Sequence, residues 1–157
     1  MAGFGVGFLV LAAAVVSLAD WGAPSIQALE RRLDGLKDEL ATASTVDDYQ
    51  DVGRRCREIL IDLAELVFDE SMVVRGAVMP ARNDAKSRLD LFFATRLPGP
   101  SNEEIRRFAK AAVGLANAVV HDADATDVHA FAVAQATLTL VRLADRLDAS
   151  KPGRWGF

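Results

Sequence analysis

Two alanine-rich runs joined by a six-residue polar connector decide most of what this chain can fold into. The first is SNEEIRRFAKAAVGLANAVV (101–120), the connector is HDADAT (121–126), and the second runs from Asp127 to about Leu147. Each run is far longer than a typical strand, and alanine, leucine and valine recur in them without the alternation a half-buried strand needs. They read as helices, and so short a connector makes them an antiparallel hairpin, expected to form the central pair of the fold. From Ala111 to Val120 the first run is apolar on every side. Gly114 with Ala118, and Ala112 with Ala116, place small residues four apart, where another helix can come close. The second run carries Val128, Phe131, Val133, Leu138, Val141 and Leu143 as its large apolar residues. No internal repeat and no competing strand pattern occurs. The expected fold is therefore all-α: a bundle of about four core helices behind a hydrophobic N-terminal helix and a heptad-patterned helix.

The other helices follow from period and punctuation. In SIQALERRLDGLKDELA, Ile26, Leu29, Leu33, Leu36 and Leu40 are spaced 3, 4, 3, 4. That spacing forms a seam able to pack on its own domain or to zip two copies together. Thr45 with Asp48 resembles an N-cap with an acidic first turn. The helix it opens, about 47–68, buries Val52, Cys56, Ile59, Leu60, Leu63 and Val67. DESMVVRGAVMPAR (69–82) has no helical period. Its valines and methionines predict a loop that folds back over the core or meets a partner. A short helix over about 83–96 is anchored by Leu89, Phe92 and Phe93 and ends at LPGP. Ser101 and Glu104 have the spacing of a capping box.

Residues 1–19 contain no charged side chain. Three readings are open: a membrane anchor, a secretory signal ending in Ser17-Leu18-Ala19, or a buried helix. The anchor is preferred. Its nearest cations, Arg31 and Arg32, follow it and place the remainder in the cytoplasm, attached to the inner membrane. The single cysteine, Cys56, excludes an intramolecular disulfide and a thiolate zinc site. The organisation expected is thus 1–20 hydrophobic segment, 25–43 heptad helix, 45–149 helical domain and 150–157 tail. A net charge of −4 argues against a surface wholly given to nucleic acid but leaves room for a local basic patch.

Chemistry concentrates at ANAVVH (116–121), where Asn117 and His121 are one helical turn apart on one face. The structural reading ranks first: an amide tied to the core, with Gln135 as a candidate partner, and a histidine placed by the helix dipole. Arg54, Arg55 and Arg57 form a basic cluster on the outer face of the preceding long helix. Solvated ion pairing is their default role and phosphate contact the alternative. His121, Asp122, Asp124 and His129 lie close in sequence, but the acidic residues serve equally well as helix caps, so no metal and no cofactor is expected.

The ANAVVH stretch resembles the end of a core helix in the HEPN superfamily, where an Arg, a polar residue (often Asn), three further residues and a His stand in order. Asn117 and His121 match that order, and Ala116 occupies the place of the arginine. The stretches DYQDVGRRCREILIDLAELVF, SNEEIRRFAKAAVGLANAVVH and ATLTLVRLADRL also look like bacterial helical domains of the abortive-infection C-terminal type. The resemblance implies a homodimer and an RNA-linked or protein-interaction role of the kind found in bacterial defence and toxin–antitoxin systems. With Ala116 in place of the arginine, it implies an inactive site. Two alternatives stand beside it. One is a metal-independent ribonuclease in which His121 moves the proton and an arginine from 54–57 faces the developing phosphate charge. The other is a membrane-tethered adaptor with no nucleic-acid role.

Overall fold

The computed structural model describes residues 25–149. They form five α-helices: α1 (Ile26–Thr42), α2 (Val46–Val67), α3 (Ala85–Arg96), α4 (Glu103–His121) and α5 (Asp127–Ala149). No strand occurs among the described residues. The chain is an all-α helical bundle, as the periodicity predicts. Among these residues no helix is long and apolar enough to cross a membrane. The anchor expectation falls on residues 1–19, and the tail on 150–157; both lie outside the described residues.

The centre of the bundle is α2, not the α4–α5 hairpin, because α2 packs broadly against all four other helices. Its stripe of Val52, Cys56, Ile59, Leu60, Leu63 and Val67 is buried throughout. Thr45 Oγ1 accepts from the Asp48 backbone N–H at 3.2 Å, and Asp48 Oδ2 accepts from the Thr45 N–H at 3.0 Å, so this helix opens on a reciprocal capping box. Helix α4 buries Ala109, Ala112, Val113, Ala116 and Val119, while Ala111, Gly114 and Ala118 are exposed. A run apolar on every side therefore still has an outer face, built of alanine and glycine, whose small surface costs little to leave in water.

The seam of α1 is consumed inside the chain. Leu29, Leu33 and Leu36 are buried, and α1 contacts both α2 and α5. Ion pairs of Arg32 with Glu58 and Asp62, and of Arg55 with Glu39, fasten it antiparallel to α2.

Two local expectations are corrected. Ser101 does not cap α4: it sits in a one-turn 3-10 helix, Pro100–Asn102, and α4 begins after Asn102 with no side-chain cap. Arg106 instead donates to the carbonyl oxygens of Leu97 and Gly99, tying the start of α4 to the turn. In the 69–84 segment, Met72 packs on the core, but Val74, Val78 and Met79 are exposed, Val78 to 92%. A turn at Gly76, with φ +88°, throws that stretch outward rather than back over the core.

Candidate functional site: a cleft between α2, α3 and α4

The edges of α2 and α4 that face each other run antiparallel, and two observations fix their register. At one end Gln50 Nε2 donates to the Asp122 carbonyl oxygen at 2.9 Å. Further along, Leu60 and Ile61 of α2 meet Val113 and Ala116 of α4 across a common cleft. Between them Gly53 lets the helices close, since a Cβ there would stand 2.8 Å from Val119 Cγ1. On α2 the edge reads Gln50, Arg54, Arg57, Ile61; on α4 it reads Val113, Asn117, His121. The Arg54–Arg57 stretch of α2 is thereby set along the Asn117–His121 edge.

The cleft has a volume of about 250 Å³ and opens to solvent. Leu60, Ile61, Val113 and Ala116 make its apolar floor, and Arg57, Asn83, Asp84, Lys86 and Asn117 its polar rim. The first turn of α3 enters the rim because Asp84 caps that helix, its Oδ1 accepting from the Ser87 N–H at 3.0 Å. Bonds from the Ser87 backbone and side chain hold the Asp84 carboxyl below its ordinary range, so it stays ionised.

The sequence-derived candidates separate here. Asn117 and Arg57 line the cleft together. The Asn117 side chain is exposed and makes no hydrogen bond among the described residues, so it is not tied to the core. Gln135 lines a different groove, with Leu33 and Leu36 of α1. His121 is exposed one turn beyond Asn117 and does not line the cleft. Of the three arginines, Arg54 pairs with Asp51, and Arg55 points to α1 and pairs with Glu39 at 2.9 Å. Arg57 makes no ion pair or hydrogen bond among the described residues, which leaves its guanidinium free to meet an anion. Lys86, Asn83 and Asp84 were not legible as site residues, because only the packing of the α3 start against α2 and α4 brings them there.

Where the connector meets the first turn of α5, His129 Nδ1 accepts from the Thr126 backbone N–H at 3.0 Å and lies 4.0 Å from Asp122 Oδ2. Asp122 Oδ1 accepts from the Asp124 N–H. These groups work as turn and helix-start partners. Among the described residues no group of three or more His, Cys, Asp or Glu is placed to hold a metal ion.

No known protein family matches the chain, and no curated protein or solved structure matches it.

Proposed function

We propose that the chain is a non-catalytic, RNA-associated helical module of the HEPN-like kind, serving a bacterial defence or toxin–antitoxin system, and that it meets RNA at the α2–α3–α4 cleft. The observation that carries this reading is the placement of Arg57. It is unpaired, and it shares one opening with Lys86 and the Asn117 amide. Two cations and two carboxamides, set against the single carboxylate of Asp84, leave the opening with an excess of positive charge that suits phosphate and sugar contacts.

The inactive reading rests on Ala116, the position where the resembled ribonucleases carry their arginine. It is 1% exposed and packed in the core. Arg54, the other cation on this edge, pairs with Asp51 on the same helix face.

Filter binding of single-stranded RNA in EDTA tests the proposal. Two phosphate contacts predict that affinity falls roughly five- to tenfold between about 50 and 200 mM salt, with the RNA left intact. The double variant Arg57→Glu/Lys86→Glu should weaken binding and flatten that slope. Binding that ignores salt, or ignores the double variant, defeats the reading. RNA cleavage in EDTA that disappears in His121→Ala would replace it with the ribonuclease.

A protein-interaction role has its own support. Val128 and Phe131 on α5 are 67% and 56% exposed, and Phe108 on α4 is also exposed. With the α1 seam used internally, these are apolar side chains still available to a second copy or another protein. Sedimentation equilibrium across a range of concentrations should show a dimer that Phe131→Glu weakens. Attachment to the inner membrane through residues 1–19, with the helical domain in the cytoplasm, belongs to the same proposal. It fails if a chain lacking those residues still fractionates with membranes.

A further inference from the structure

We infer that the outward loop of residues 73–79 rests on the lipid surface to which residues 1–19 attach the chain. Val74, Val78 and Met79 enter the boundary between headgroups and acyl chains, and Arg75 meets an anionic headgroup. The inference rests on the membrane part of the proposal and adds a second contact, made by the helical domain itself.

Position is the first argument. Both legs of the loop are held at the last turn of α2. Arg82 pairs with Glu65, Arg88 lies over the Phe68 ring, and the same guanidinium donates to the Pro80 carbonyl oxygen. The residues between are therefore carried at the C-terminal end of α2. The chain enters α1 at that same end. Arg55 pairs with Glu39, and Asp62 with Arg32, so seven residues forward on α2 are seven back on α1. One more such step brings Ser25 level with Asp69, just past the end of α2 at Val67. The bundle is thus entered beside the start of the loop.

Chemistry is the second argument. Val74, Val78 and Met79 are 74%, 92% and 46% exposed. A single exposed valine needs no explanation, but a group of apolar side chains around one turn marks a contact surface. From Ser71 to Asn83 the loop carries two cations, Arg75 and Arg82, and no carboxylate, in a chain of net charge −4. Glu65 takes Arg82, while Arg75, set between the exposed valines, makes no ion pair among the described residues. Apolar side chains around a free cation match a bilayer surface, where hydrocarbon lies just below anionic headgroups. A boundary position also keeps the irregular backbone in the hydrated layer, where its polar groups need no internal partner.

Site-specific fluorescence on the full chain tests this. Cys56 is fully buried, so a thiol-reactive, environment-sensitive dye goes to the cysteine introduced by Val78→Cys. Ser44→Cys, exposed at the opposite end of α1, is the reference. Vesicles of phosphatidylcholine with phosphatidylglycerol should shift the emission at position 78 to the blue and shield it from aqueous iodide. The dye at position 44 should not change. Val74→Asp, an exposed substitution added to the Val78→Cys chain, should return the dye to water, with circular dichroism reporting the fold. Arg75→Gln should lower the ratio of shielded to open dye about fivefold on these vesicles, the effect of one cation near an anionic surface. On phosphatidylcholine alone it should change nothing.

If the chain sediments with vesicles while both dyes stay equally open to iodide, the loop does not touch lipid, and the anchor reading survives. If the chain does not sediment with vesicles, both fall together. Shielding at position 78 that appears without vesicles and grows with protein concentration overturns the inference in favour of an interface between copies.

Discussion

Gly53 shows how one missing carbon sets the geometry of the site. A Cβ at this position would meet Val119 Cγ1 at 2.8 Å and the Val120 nitrogen at 3.3 Å, so an alanine must push α4 away. The sequence pointed instead to Gly114 as the place of close approach, because it shares a stripe of small residues. Among the described residues none comes within 4 Å of where a Cβ on Gly114 would stand, and the residue is exposed. Opposite outcomes follow for the same substitution. Gly53→Ala should destabilise by about 1–3 kcal/mol through overpacking, and Gly114→Ala should stabilise by roughly 0.5–1 kcal/mol through helix propensity. Urea denaturation of the two variants gives both values. Cys56 is a second residue whose behaviour follows from its place. Burial is the largest influence on its thiol, pushing it from the ordinary 9.0 to about 11. Because the folded state holds the proton more tightly, the stability this contributes is intact below about pH 9 and lost as pH rises toward 11. The native protein should therefore be inert to a thiol reagent at pH 8 and react once unfolded.

Helix existence was legible because the apolar stripes of α1, α2 and α5 are long and regular; helix starts were legible only where the cap is local. Thr45 and Asp48 satisfy each other within four residues, and the structure keeps that box. Ser101 and Glu104 have the same spacing but lose to the prolines. Pro98 and Pro100 tighten the chain into a 3-10 turn, and Gly99 at φ +85° completes the bend. The two serine/threonine positions thus separate pattern from structure. Thr45→Ala should cost about 1 kcal/mol, the usual loss of an N-cap. Ser101→Ala should fall within roughly ±0.5 kcal/mol, as an exposed surface change does. Guanidine or urea midpoints with unchanged slopes would register the difference. Equal losses at both positions would mean that Ser101 caps α4 after all.

At the scale of the molecule, the sequence could name Asn117 and Arg57 but could not bring them together. Their meeting depends on the register of α2 against α4, which is set by contacts more than fifty residues apart, Gln50 with Asp122 and Gly53 with Val119. Local period carries no information about such pairings. The same limit left the role of α1 open, since a 3-4 seam looks alike whether it meets its own domain or a second copy. The structure places Leu29, Leu33 and Leu36 against α2 and α5, with ion pairs to α2 along the rim. This has a measurable consequence. Leu33→Ala removes buried methyl groups from an intramolecular contact and should cost about 2–5 kcal/mol. An intramolecular seam makes that loss independent of protein concentration, whereas a seam shared between copies makes the melting temperature rise with concentration and makes the variant abolish that rise. Melting curves of both proteins over a range of concentrations therefore decide whether α1 belongs to the bundle or to an assembly. A parallel pair of melts for Phe131→Glu asks the same question of the exposed face of α5, where a concentration-dependent loss would mark the surface on which copies meet.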